Sequence, residues 1–246
     1  MANENITEER HFVRLFEETL ERNRDGLSDE DISDAVLKII CWFKRNITCP
    51  IEMYQTPRML WAFFYRYSPI SADLTRFQML EAIRNSEEFR TFFKRPSLEV
   101  LSIGSSDLIG LCSVLYDNAD FQKLNLTLVD HNKHWRSLFQ AMIQVIRHDE
   151  YGNKGLLSAL SSDSARDFAV KVIISSMPVG SLLVVIDSPT YHNYGNFQDD
   201  LKLLYSAEEK RFHFSEEPIK LYGRGLCKSS NQIINVLTKI GRGNSN

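Results

Sequence analysis

The sequence predicts an α/β domain with a parallel sheet over residues 96–246, preceded by a helical N-terminal region over residues 1–95. Three observations carry this. Short β-forming apolar runs, Leu98–Ile103, Leu124–Val129 and Ser181–Ile186, are separated by stretches of helical periodicity, the order that makes βαβ units. The first run opens directly on Gly104 and the second closes on Asp130, as strands do where they turn toward a following helix. Before Pro96 the apolar residues recur at helical spacing.

Taken in order, Ser28 and Asp31 form a capping box in which Asp replaces the usual Glu or Gln. Ile32, Val36, Ile39, Ile40 and Phe43 then fall on one helical face. Pro50 ends that element or its following turn. Thr56-Pro57 is a helix start, an N-cap followed by proline at the first helical position. The Met59–Tyr67 stretch, with Leu60, Trp61, Phe63 and Phe64, is apolar on most sides and is expected to be buried against the α/β domain. Ser68-Pro69 is expected to break that helix, with another running from about Leu74 to Phe93.

Beyond Pro96 the expected elements are the Leu98–Ile103 strand, a Leu108–Leu115 helix, the Leu124–Val129 strand and a helix from about Lys133 to Ile146. Trp135, Leu138, Met142 and Val145 share one face of the latter and read as core. The Ser181–Ile186 strand follows, then a Phe197–Tyr205 helix and late strands at Arg211–Phe214 and Gln232–Leu237. Between Glu150 and Gly180, strands at Leu156–Leu160 and Val170–Ser175 compete with one helix over Ala165–Ser176, and the pattern leaves both open.

Composition narrows the function classes. The 246 residues are 43% hydrophobic, enough for a sizeable core. A net charge of −3 gives no strong duplex nucleic-acid signal, since duplex coating needs an excess of Lys and Arg. The start, MANENITEER, has no apolar h-region and no run is long enough to span a bilayer, so a cytoplasmic or nuclear protein with no membrane partner is expected. Cys41, Cys49, Cys112 and Cys227 make no C-x-x-C pair, and the six histidines show no metal-ligand pairing. Cys41 and Cys112 stand among apolar residues and read as buried thiols.

The chemistry concentrates at two strand ends. A glycine at the first turn lets backbone approach a ligand closely, and the helix behind it offers free N–H groups. A carboxylate at the end of the neighbouring strand can accept hydrogen bonds from two ribose hydroxyls. Gly104 and Asp130 stand in those positions, 26 residues apart. Each has a plainer reading: Gly104 as a tight strand-to-helix turn, Asp130 as the cap of the helix that follows.

VLSIGSSDLIGL followed by LTLVDHNKHW resembles the first two motifs of the class I, Rossmann-like, S-adenosylmethionine (SAM) dependent methyltransferases. The upstream TPRMLWAFFYRYSPIS resembles a helical lead-in seen before the SAM domain in some of these proteins, and GSLLVVIDSP resembles a later strand. The likeness spans roughly residues 56–190. It implies SAM as cofactor, with Gly104, Ser105 and Ser106 at its amino-acid end, Asp130 at the ribose and His131 beside the adenine. Asp187-Ser188-Pro189 with Tyr191 loosely resembles the Asp-Pro-Pro-Tyr loop of amino-group methyltransferases, and also fits a plain turn after a strand. Asp187 and His192 are the candidate catalytic residues, as the general base where the acceptor needs one. The family's usual acidic-x-Gly-x-Gly-x-Gly reads here Ser102, Gly104, Ser106, Leu108, with Gly110 displaced.

Three functions are compatible with these residues. The first is methyl transfer from SAM to an acceptor, RNA or protein by class. The second is a methyltransferase-like pseudoenzyme that binds protein or RNA through its N-terminal region, with the Trp61–Tyr67 helix and the basic Lys94-Arg95 turn as interface candidates. The third is an NAD(P)-binding oxidoreductase, against which stand the single glycine in register and the lack of a Tyr-x-x-x-Lys pair.

Overall fold

The computed structural model describes residues 15–22, 24, 26–44, 56–103, 108–118, 122–129, 134–148, 174–187, 200–213, 227 and 229–241. The first helix, α1, covers residues 15–22 and buries Leu15, Phe16 and Leu20. Helix α2, Asp29–Lys44, starts at the expected capping box. The Asp31 N–H donates to Ser28 Oγ at 3.1 Å, while the Ser28 N–H and hydroxyl both donate to the Asp31 carboxylate at 3.1 and 2.7 Å. These bonds from Ser28, more than the nearby Arg58, hold the Asp31 carboxyl below its ordinary range. Asp therefore does at this box what the longer Glu usually does. Ile32, Val36 and Ile39 are buried as their spacing requires.

Helix α3, Pro57–Asn85, opens on Thr56, whose Oγ1 accepts from the Met59 N–H at 3.4 Å. It then departs from expectation, because it runs unbroken through Pro69. Proline fixes a helical φ but has no N–H for the preceding turn. The carbonyl that would have received that N–H belongs to Tyr65; the carbonyl next to it, of Arg66, accepts from the Cys227 backbone N–H at 2.8 Å. Seventeen residues of α3, Ser68 and Pro69 among them, are buried, and this packing outweighs the local preference for a break. Ser86 ends α3 and caps the short α4, Glu87–Phe92, accepting from the Phe89 N–H at 3.3 Å.

The remaining elements are β1 (Ser97–Ile103), α5 (Leu108–Asn118), β2 (Lys123–Val129), α6 (His134–His148), β3 (Leu182–Asp187), β4 (Leu201–His213) and β5 (Ser229–Lys239). Among the described residues β1 and β2 form a parallel pair, and β3, β5 and β4 form a second sheet in that order. The second sheet is antiparallel, so the expected parallel arrangement holds only for the first pair. The architecture is a mixed α/β one, with strands and helices around shared cores.

Residues 201–205, expected to be helical, lie in β4. A register shift between Leu203 and Tyr205 inserts an extra residue into the strand. It places Leu201, Leu204 and Tyr205 toward apolar neighbours at i, i+3 and i+4, a spacing that imitates a helix. At the end of the ambiguous stretch, residues 174–176 are helical, so a strand does not extend to Ser175.

Two cores meet on α3. Its N-terminal half, from Met59 to Tyr65, packs with α1, α2 and the Trp135, Leu138, Phe139 and Met142 face of α6. Its C-terminal half, at Met79, Ala82 and Ile83, packs with Phe89, with Leu98 of β1, Val114 and Leu115 of α5, and Ile234 and Val236 of β5. Arg58 adds ion pairs to Asp31 and Asp34 that tie α2 to α3, at 3.2 and 3.5 Å. Among the described residues no helix is long and apolar enough to cross a membrane.

Glu17 of α1 is strained in the opposite sense to Asp31. Partial burial, followed by the neighbouring Glu21 and Glu18, pushes its carboxyl up to about 7, and its Oε1 is buried with no hydrogen-bond partner. The fold therefore favours the protonated form. This contribution is complete below the ordinary carboxylate pKa and is lost as pH rises through about 7. Glu17→Gln is expected to raise stability at pH 8 by about 1 kcal/mol, discounted for partial exposure, and to change little at pH 4. Urea midpoints of the two proteins at both pH values check this, and an equal difference at both would refute it.

Candidate functional site

The site begins with two strands whose ends coincide. In the parallel β1–β2 pair, Ser97 stands opposite Lys123 and the register continues without a shift to Ile103 opposite Val129. In sequence, Gly104 and Asp130 each come one residue after these paired ends. Helix α5 starts at Leu108 and α6 at His134, four residues beyond Gly104 and Asp130 respectively. Two neighbouring parallel strands therefore each lead, through a short connection, into a helix whose first N–H groups have no intrahelical partner.

Gly104, Ser105, Ser106, Asp130, His131 and His192 lie outside the described residues, as does the side chain of Asp187. The Asp187 backbone is the last position of β3, opposite Ile233 near the start of β5. Ser102, in the family's acidic position, is half-buried on β1.

The structure corrects two readings close to the site and one elsewhere. Gly110, taken as a displaced loop glycine, stands inside α5 and presses on α3. A Cβ built there would overlap the Ala72 carbonyl oxygen and lie 2.9 Å from its carbon and 3.1 Å from the Arg76 nitrogen. The Trp61–Tyr67 stretch is committed to the protein's own core, with Trp61 and Phe64 only 7% and 1% exposed. It does not offer the interface considered for a binding module. Phe63 and Phe64 instead meet Trp135 of α6 at ring-centroid distances of 6.2 Å each. Elsewhere, Cys41 is exposed, whereas burial pushes the Cys112 thiol up to about 12 and makes it a poor nucleophile. Lys94 and Arg95 are exposed, with the Arg95 guanidinium 4.2 Å above the Phe92 ring.

Sequence reasoning passed over a row of buried polar residues on α3. Ser68, Asp73, Thr75 and Gln78 are 0%, 6%, 2% and 3% exposed. Gln78 Nε2 donates to the Gln232 carbonyl at 3.2 Å and so joins α3 to β5. Burial pushes the Tyr67 hydroxyl up in pKa, opposed by Arg66 beside it. The available signal was the set of polar letters inside an otherwise apolar helix.

No family model matches the chain, and no curated protein matches it. Solved structures do resemble it. One is a candidate methyltransferase from Thermoplasma acidophilum, 18% identical, covering 60% of this chain and 70% of its own, with a TM-score of 0.37. Another is a candidate class I S-adenosylmethionine-dependent methyltransferase from Listeria monocytogenes, 10% identical, covering 98% of this chain and 90% of its own, with a TM-score of 0.39. These likenesses are too distant to assign a residue role.

Proposed function

We propose that the chain is a SAM-dependent methyltransferase-like protein with a Rossmann-like domain, whose cofactor site lies where β1 and β2 end. The observation that supports this most is the uninterrupted parallel register up to Ile103 and Val129, with α5 and α6 starting shortly beyond. Ligands in open α/β sheets bind outside such ends. The residues fit a nucleoside-linked amino acid in type. Gly104, Ser105 and Ser106 precede the α5 N-terminus and suit its amino-acid end. Asp130 suits the ribose, and His131 the base.

SAM, when bound, supplies a methyl group on a sulfonium for transfer to a nucleophile. The chain's part is positioning and exclusion of water. Asp187 or His192 would take a proton from the acceptor where it carries one to lose, whereas a neutral nitrogen lone pair attacks without a base. The acceptor class is RNA or protein, and the compartment cytoplasm or nucleus.

Calorimetric titration of the full chain with SAM and S-adenosylhomocysteine tests this. Saturable binding is expected, weakened by about 1–3 kcal/mol in Asp130→Ala and by less in Asp130→Asn, which keeps one acceptor oxygen. Ser102, Ser106 and Leu108, where the family has an acid and two glycines, favour a pseudoenzyme as the second reading. No heat at millimolar SAM from folded protein would overturn the first reading in favour of that one.

A further inference from the structure

We infer that the exposed surface formed by Arg90, Lys94, Arg95 and Lys123 binds a single strand of nucleic acid. A base stacks on the Arg95 guanidinium, and the cations around it meet backbone phosphates. The surface lies where β1 and β2 begin, at the opposite end of the pair from the proposed cofactor site. Each strand has seven residues, so the two places are roughly 20 Å apart. The inference does not rest on the cofactor-site reading.

Chain connectivity and strand pairing bring the cations together. At the end of α4 the N–H groups of Phe93, Lys94 and Arg95 donate to the carbonyls of Arg90, Thr91 and Phe92, at 3.2, 3.2 and 3.3 Å. Arg90, Lys94 and Arg95 thus share one tight turn. The Pro96 carbonyl then accepts from the backbone N–H groups of both Gln122 and Lys123, at 2.9 and 3.2 Å. Ser97 is the register partner of Lys123, so the start of β2 is fastened beside that turn. Residues 90–91, 94–97 and 122–123 are all exposed and include no acid. Glu87 and Glu99 stand before and after the turn in sequence and mark its limits. Nearby carboxylates are held by other cations, Glu81 by Arg84 at 2.6 Å and Glu88 by Lys202 at 3.0 Å. Among the described residues no carboxylate forms an ion pair with any of the four surface cations.

Arg95 sets this surface apart from an ordinary solvated charge run. Its guanidinium lies 4.2 Å over the Phe92 ring, which is itself packed against the second core. The ring holds one face of the guanidinium, and because Arg95 is exposed the other face is left to solvent. A planar cation with one face open takes a nucleobase by stacking. Arg90, Lys94 and Lys123 suit the phosphates on either side of that base. Only an unpaired base can stack in this way, which selects a single strand over a duplex. A net charge of −3 over the whole chain agrees, since it opposes duplex coating but leaves a local basic surface free to act. An acidic peptide or an anionic lipid surface would use the charges, but neither needs the stacked plane.

Fluorescence anisotropy of the full chain at low salt tests this, with a short oligoadenylate RNA and an abasic strand of the same length as probes. Wild type is expected to bind oligoadenylate saturably and more tightly than the abasic strand. Lys94→Ala combined with Lys123→Ala is expected to weaken both probes about tenfold and to flatten the salt dependence. Arg95→Lys keeps the charge but loses the plane. It is expected to weaken oligoadenylate about fivefold or more and to leave the abasic strand unchanged. Lys38→Ala combined with Lys44→Ala removes two exposed cations of α2 and is expected to change neither. No binding by folded wild type, or unchanged binding in the patch variants, would overturn the inference. So would an abasic strand bound as tightly as oligoadenylate, in favour of an acidic protein or lipid partner. None of these outcomes bears on SAM binding.

Discussion

Replacing Gly110 by alanine is expected to destabilise the protein by about 2–3 kcal/mol, although alanine is the better helix former. In an exposed helix the same change would stabilise by about 1 kcal/mol. Here the new methyl group would run into the Ala72 carbonyl oxygen and approach the Arg76 nitrogen, both backbone atoms of α3. A flexible side chain could swing aside, but a helix backbone buried along its length cannot. The helices must separate, and the separation is felt by Val114, Leu115, Met79 and Ile83 in the core below. The double variant Gly110→Ala with Ala72→Gly should stay as unstable as the single one, because removing the Ala72 methyl leaves its carbonyl in place. Urea denaturation of the three proteins decides this. Rescue by the second substitution would show that the contact is one of side chains.

The largest single loss is expected from Phe64→Ala, about 3–5 kcal/mol. Phe64 is 1% exposed and sits between three elements. Its ring centroid lies 4.7 Å from Phe16 of α1, 6.1 Å from Trp61 and 6.2 Å from Trp135 of α6. Removing it opens a cavity where rigid rings cannot collapse, so the cost should fall at the upper end for this substitution type. The denaturant midpoint should fall with the slope unchanged. A loss below 1 kcal/mol would mean that α6 is not anchored on α3. The same contacts predict that a fragment beginning near Pro96 is poorly soluble, since it would expose the α6 face and the sheet surface now covered by α3.

Much of the architecture was legible from local pattern. The capping box at Ser28, the Thr56-Pro57 start, and the runs that became β1, β2 and β3 each appear within a residue or two of expectation. These elements follow from period and end chemistry, which neighbouring residues supply by themselves. The pairing of β1 with β2 was also foreseeable, since a strand, a helix and a second strand in close succession favour parallel neighbours. The described pairing reaches Ile103 opposite Val129, and the expected site residues beyond those two ends lie outside the described residues.

What the sequence determined alone, then, was the kind and rough extent of several elements and the neighbouring ends of β1 and β2. Only tertiary structure decided that α3 continues through Pro69, because burial along both cores outweighs one missing hydrogen bond. It also turned Leu201, Leu204 and Tyr205 into strand residues, since a register shift against β5 reproduces helical spacing in one dimension. Gly110 changed from a loop glycine to a packing glycine for the same reason: the atom that forbids a side chain there, the Ala72 carbonyl, is 38 residues away in sequence. Local rules see period and caps, but they carry no information about which distant backbone will arrive against a given face.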